Sequence, residues 1–284
     1  MTLAISVENS IHRFNSLSQD ATRHIGEHIV NAQLLHSSQH HYIYRGELTS
    51  TRNPSGTPVV VKFARTELAL RELVRENVVY TTTLESLQGV WIPRYYGQYE
   101  NHDATSVLRD CIILEWCGSP VEVEFSDLNE GFKTCIIQAV TAIHKLGIVH
   151  NKLVEDNVLD YHGRPMIIDF AVSDDEKCGK KMAICEGNLQ PPFEDFNCEE
   201  IFLLCHDLQI WKPGHIRLNL QDHPARWVAD PRRLACFGPK APGCLPPMRR
   251  ALIATKLHLQ QSYPEVWEKI QSELRTCFAS SPTG

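Results

Sequence analysis

The chain has 284 residues, a net charge of −6 and a hydrophobic content of 43%, which suits one large domain or a small two-lobed one with its own core. The acidic balance gives no electrostatic case for nucleic acid or an anionic membrane as partner. No apolar run approaches the ~20 residues of a membrane-spanning helix.

Residues 1–8 lack the basic region and long apolar stretch of a signal peptide. The ten cysteines include no C-x-x-C pair. They fall on core-like positions (Cys135, Cys205, Cys277) or in loops (Cys178, Cys244). They read as reduced thiols of a cytoplasmic, intracellular protein, and no zinc site is expected. Residues 1–24 are polar, with a helical pattern at Ile11, Phe14 and Leu17. Strand patterns begin at His28, with a loop over His36–His41, an alternating run from Tyr42 to Leu48 and a turn at Asn53–Gly56. The β-branched run Pro58–Phe63 follows and carries Lys62 near its end.

Leu68 to Leu87 reads as a helix on the spacing of Leu70, Leu73, Tyr80 and Leu84. Glu72 and Glu76 lie on it, and Glu76 shares a face with Tyr80, four residues on. Arg94–Tyr99 and Cys111–Glu115 are strand candidates, and Trp116-Cys117-Gly118 reads as a connector. Ser126 is a plausible helix cap ahead of an apolar face of Phe132, Ile136, Val140, Ile143 and Leu146. That helix ends at Gly147. Strands then flank a turn at His162-Gly163. Ser173–Lys181 reads as a solvated loop, Glu194–Leu208 as a helix, and residues 213–247 as an irregular proline-rich stretch. Two helices close the chain, the second starting at a capping box of Ser262 and Glu265 with an apolar face of Val266, Trp267, Ile270, Leu274 and Phe278.

The chemistry concentrates in Ile148–Asn157 and in Ile168-Asp169-Phe170. His150, Asn157 and Asp169 stand at the spacing of H-R-D-L-x-x-x-N and D-F-G. A strand lysine such as Lys62, paired with a helix glutamate such as Glu76, can hold nucleotide phosphates. Asp169 and Asn157 can hold Mg²⁺ through hard oxygens. The position of the expected catalytic aspartate is Lys152. An ammonium only donates, with an unperturbed pKa of about 10.4, and loss of a general base costs roughly 10²–10⁴ in rate. Asn151, Val154 and Ala171 also depart from that pattern. No glycine lies between Gly26 and Gly46, so a G-x-G-x-x-G loop is absent.

Together these residues resemble the protein-kinase superfamily, and in particular the short kinase-like proteins of mushroom-forming fungi. Glu76…Tyr80…Leu84, Leu87-Gln88-Gly89, Ile92-Pro93 and Tyr96-Gly97 carry the first half of the likeness. Gly147–His150, Asn157 and Ile168-Asp169-Phe170 carry the second. The resemblance spans roughly residues 28–210. It implies an α+β, bilobal protein-kinase-like fold with a β-rich small lobe and a mainly helical, shortened large lobe. The domains would be an N-terminal extension (1–27), a small lobe (28–117) and a large lobe (118–284). ATP and Mg²⁺ would bind at Lys62, Glu76, Asp169 and Asn157, with Glu115 and Cys117 as the hinge and His150 bracing the loop. The expected function is that of a pseudokinase binding ATP or an unidentified protein partner, with weak or no phosphotransfer. An active serine/threonine or small-molecule kinase using Glu155 or Asp156 as base is the alternative. A scaffold without a nucleotide site is the third reading.

Overall fold

The computed structural model describes residues 2–7, 10–17, 27–51, 53–101, 108–218, 221–225, 247–265, 267–268 and 271. Seven strands close a barrel: β1 (Thr2–Val7), β2 (Ser10–Ser16), β3 (His28–Ser37), β4 (His41–Thr49), β5 (Thr57–Ala64), β6 (Tyr95–Glu100) and β7 (Cys111–Glu115). Their order around the barrel is β1-β2-β6-β7-β5-β4-β3.

This overturns the expected bilobal kinase-like α+β fold. The first strands are the physical reason. β1 and β2 pair antiparallel, and the pair joins β6 through β2 on one side and runs parallel to β3 through β1 on the other. An open sheet would leave two rows of unpaired N–H and C=O groups; here both edges are consumed. The helical spacing of Ile11, Phe14 and Leu17 is coincidental: on β2, Phe14 points into the core while Ile11 is exposed.

The barrel is filled by Leu3, Ile5, Phe14, Ile29, Val59, Val61, Phe63 and Ile113. Side chains alternate along a strand. With Val59, Val61 and Phe63 inward, Lys62 projects from the outer face of β5. Helix α1 (Glu67–Val78) lies on that face, capped by Thr66, whose hydroxyl accepts from the Ala69 N–H at 3.2 Å. The predicted helix to Leu87 is interrupted: α1 passes into a π-turn at Val79–Thr83 and a 3₁₀ turn at Glu85–Leu87.

The later half is not mainly helical among the described residues. It comprises β8 (Ser119–Pro120), α2 (Glu130–Lys145), β9 (Ile148–Val149), β10 (Val158–Tyr161), β11 (Arg164–Ile167), β12 (Asp174–Asp175), α3 (Phe193–Phe196) and α4 (Glu199–Asp207). The hairpin β13 (His215–Leu218) and β14 (Gln221–Pro224) and the helix α5 (Pro247–Ser262) follow. Asn129, not Ser126, caps α2 by accepting from the Phe132 N–H at 2.9 Å. Ser173–Lys181 is not wholly loop: β12 pairs with β9. The predicted helix 194–208 breaks at Asn197, whose φ is 59°. Of the proposed C-terminal apolar face, Val266, Ile270, Leu274 and Phe278 lie outside the described residues, as does most of the stretch 213–247.

The chain divides into two compact units. One comprises Met1–Gly179 with Cys198–Leu204, and the other Lys180–Asn197 with Cys205–Gly284. All the predicted site residues belong to the first. In the second, Phe196 and Trp211 meet edge to face, and Lys212 lies over the Tyr263 ring.

Candidate functional site

Four charged side chains meet beside α1. The Lys62 ammonium donates to Glu76 Oε1 and, at 2.7 Å, to Asp169 Oδ1. The Lys152 ammonium donates to the other oxygen, Asp169 Oδ2, at 2.9 Å. Glu72 is not part of this cluster; its carboxylate faces His41 at 3.5 Å. Burial opposes the charge on Lys62, but Glu76 and Asp169 push its pKa up, so it stays an ammonium. Burial also works against the Asp169 carboxylate, yet Lys62 and then Lys152 hold it well below the usual carboxylate range. Glu76 moves the other way: its burial outweighs the attraction of Lys62 and raises its pKa.

Each partner is placed by local structure. Asp169 leaves β11 with a left-handed backbone, φ 69°, a conformation that aspartate tolerates better than most residues. The next residue, Phe170, is fully buried. Its ring meets Tyr80 edge to face at 5.5 Å and lies 4.9 Å from the His150 ring. Tyr80 in turn stacks on Tyr95 at 5.4 Å. Aromatic contacts thus join the π-turn after α1, β6, the 150–157 loop and the residue that follows Asp169.

The loop is held at both ends. His150 Nε2 lies 2.8 Å from the Ile168 carbonyl, so it must carry the proton, and Nδ1 is then free to accept from the Lys152 N–H at 3.3 Å. Asn157 donates its amide to the Lys152 carbonyl at 2.8 Å. Asn151, with φ 64°, donates to the Val172 carbonyl and to Asp174. It thereby ties the loop to the segment after Asp169.

Sequence reasoning missed the residue that anchors this loop. Glu200 on α4 accepts from the His150 N–H at 2.9 Å and the Asn151 N–H at 2.6 Å. Its Oε2 also faces His144 Nε2 at 2.6 Å. Asp195, on α3, belongs to the second unit. His144 and Cys198 approach each other beside Glu200, and Cys178 joins them. Burial opposes a charge on His144, but its bonds to Cys198 and Glu200 push its pKa up to about 10.

The two residues expected as a hinge, Glu115 and Cys117, lie outside this cluster. Glu115 ends β7 and its carboxylate accepts from the Arg94 N–H at 3.2 Å. Cys117 is buried with Leu159 and Met166. Burial and the neighbouring Glu115 raise its thiol to about 12. Glu155, one of the two alternative bases, uses Oε1 to accept from the Phe125 N–H at 3.1 Å.

Where a glycine loop would lie, the β3–β4 tip folds onto the start of α1. Arg65 donates its backbone N–H to the His40 carbonyl at 2.8 Å and its guanidinium to the Ser38 carbonyl. His40 Nδ1 lies 3.3 Å from the Thr66 hydroxyl. His41, half-buried behind them, has its pKa lowered to about 4 by burial and by the nearby Lys62.

The expected Mg²⁺ ligands do not fit that ion as arranged. Magnesium needs oxygens free to approach it, and each oxygen of Asp169 already accepts from an ammonium. A cation there would have to displace Lys152.

No protein-family model matches the chain, and neither does any curated protein. Among the described residues, no helix is long and apolar enough to cross a membrane.

Proposed function

We propose that the chain is a pseudokinase-type binding module, in which Lys62 and Lys152 take the phosphates of ATP and phosphate transfer is weak or absent. The observation that carries this reading is the Lys152 ammonium on Asp169 Oδ2. It puts a fixed positive charge where a divalent cation would otherwise screen the carboxylate from phosphate. It also removes the carboxylate that would take a proton from an attacking hydroxyl.

Two lysines flanking one carboxylate can bind phosphate oxygens as point charges. The reading therefore expects nucleotide binding that does not require magnesium. The test is the thermal-unfolding midpoint with millimolar ATP, in magnesium and in EDTA, at fixed protein concentration. Ligand at one hundred times its Kd adds about 2.7 kcal/mol to stability. A rise in both buffers, lost in Lys62→Met and Lys152→Met, is the expected result. A rise in magnesium alone would show that Lys152 does not stand in for the metal.

A second reading, a scaffold without a nucleotide site, is favoured by the pinned β3–β4 tip. Its bonds to Arg65 and Thr66 hold His40 and His41 down beside Lys62. No shift with ATP in either buffer would support it.

A further inference from the structure

We propose that His144, Cys178 and Cys198 form a binding site for a zinc-class divalent cation that clips the segment after Asp169 to α2 and to the start of α4. The ligand atoms, His144 Nδ1 and the two Sγ atoms, all lie within 4.8 Å of one another. Nδ1 of His144 and Sγ of Cys198 are 3.6 Å apart. Zinc bonds of about 2.3 Å to sulfur and about 2.0 Å to nitrogen place adjacent tetrahedral ligands roughly 3.6 Å apart. That pair already has the spacing, and closing the set needs only a small movement of the Cys178 loop.

The surroundings favour a metal over a chance meeting of side chains. The other nitrogen of His144, Nε2, faces Glu200 Oε2 at 2.6 Å. A carboxylate only accepts, so Nε2 carries a proton; the second imidazolium proton, on Nδ1, must leave for that nitrogen to ligate a cation held with the two sulfurs. Metal-ligating histidines are commonly oriented in this way, by a carboxylate on the far nitrogen. Glu200 is itself fixed by the backbone N–H groups of His150 and Asn151. His144 and Cys198 are buried, whereas Cys178 is half-buried on a loop, so an ion could enter from that side. Two soft thiolates and an imidazole suit zinc rather than magnesium or calcium. Among the described residues no fourth histidine, cysteine or carboxylate joins the set, so a water completes the tetrahedron.

Binding displaces the protons of the two thiols and the Nδ1 proton of the His144 imidazolium, all of which pass to solvent; nothing is oxidised or reduced. The bound ion would hold Cys178 against α2 and α4. Through Glu200, the same structure sets the backbone of the 150–151 loop. The site does not depend on whether nucleotide binds at Lys62.

The test uses the full chain, reduced and stripped with a chelator, then titrated with Co²⁺ and Zn²⁺. One equivalent of Co²⁺ is expected to give a thiolate-to-cobalt charge-transfer band that Zn²⁺ abolishes, and Zn²⁺ should raise the thermal midpoint. Cys178→Ser and Cys198→Ser should lose both effects, while Cys185→Ser, at an exposed cysteine outside the set, keeps them. Cys198 is buried and its variant could fail to fold; Cys178→Ser, on the loop, then carries the test alone. The proposal is overturned if folded, reduced wild-type chain gives no band. It is equally overturned if the band survives in folded Cys178→Ser.

Discussion

Lys62→Met tests the charge cluster without assuming any ligand. Methionine keeps most of the volume of the lysine stem and removes the ammonium. Asp169 then still has Lys152 at 2.9 Å and a side chain 20% exposed to water, so its loss is small. Glu76 is left with nothing: its side chain is 1% exposed, and Oε2 has no hydrogen-bond partner even with Lys62 present. An uncompensated buried charge of this kind costs about 3–5 kcal/mol. Protonation sets a ceiling. Keeping a carboxyl of ordinary pKa about 4.3 protonated at pH 7 costs about 3.7 kcal/mol, at 1.36 kcal/mol per unit. The variant should therefore lose about 3 kcal/mol at pH 7. The pH dependence has a definite sign. With its folded pKa raised above the unfolded value, Glu76 favours the folded state at low pH and less so as pH rises. At pH 5 the same ceiling falls to about 1 kcal/mol, so the deficit should shrink as pH is lowered. Urea unfolding at both pH values measures it, with an unchanged m-value confirming a common unfolding transition. Adding Glu76→Gln to Lys62→Met should recover most of the loss at pH 7. A deficit below about 1 kcal/mol at pH 7, or one that does not shrink at pH 5, would refute the buried pairing.

Lys152→Met should change stability by no more than about 1 kcal/mol in the same urea assay, because that side chain is 54% exposed and exposed pairs contribute little. Glu200→Gln keeps the shape but loses the charge that holds the His150 and Asn151 N–H groups; a loss of about 1.5–3 kcal/mol is expected on unfolding. Gly118→Ala should destabilise far more than Gly163→Ala. Both glycines have positive φ, but an added Cβ at Gly118 would meet the Asp160 carbonyl oxygen at 2.2 Å, whereas nothing lies within 4 Å at Gly163. Gly163→Ala carries only the left-handed strain, about 1–2 kcal/mol. Finally, His41 is held neutral, with its pKa lowered to about 4. Its contribution to stability is complete above the unfolded value of about 6.5 and is lost as pH falls from there to about 4. His41→Gln should flatten that part of the stability–pH curve.

The parts of the molecule that the sequence made legible are those fixed by neighbours close along the chain. The β10–β11 hairpin follows from two apolar runs around His162-Gly163, both of which take positive φ. The β-branched run around Lys62 could hardly be anything but a strand, and it forms β5. Glu76 was preferred to Glu72 through the face it shares with Tyr80, and it is Glu76 that reaches Lys62. Barrel closure was not legible, because it depends on pairings between residues far apart, Ala4 with His28 and Asn15 with Glu100. No local pattern in a polar stretch reports such partners. Read locally, the spacing of Ile11, Phe14 and Leu17 suits a helix as well as a strand.

Glu200 shows the same limit at the level of a single residue. The 150–151 loop turns two backbone N–H groups toward one point, and both are met by one acceptor. One carboxylate with two oxygens satisfies both, and either Asp195 or Glu200 has the chemistry. The choice is made by Asn197. If residues 194–208 formed one continuous helix, Asp195 and Glu200 would keep a fixed helical phase. A left-handed residue at Asn197 ends α3 before α4 begins at Glu199. Asparagine tolerates that conformation better than most residues. The break puts Cys198 beside His144 and Glu200 under the loop, so one backbone dihedral assigns both the anchor of the loop and the third member of the proposed metal site. Asn197→Ala therefore perturbs two distant readouts together. It should weaken cobalt binding at His144, Cys178 and Cys198, and it should lower stability by about 1–2 kcal/mol, the strain of a left-handed alanine. Loss of stability with cobalt affinity unchanged would separate the two and show that the break does not set the position of Cys198.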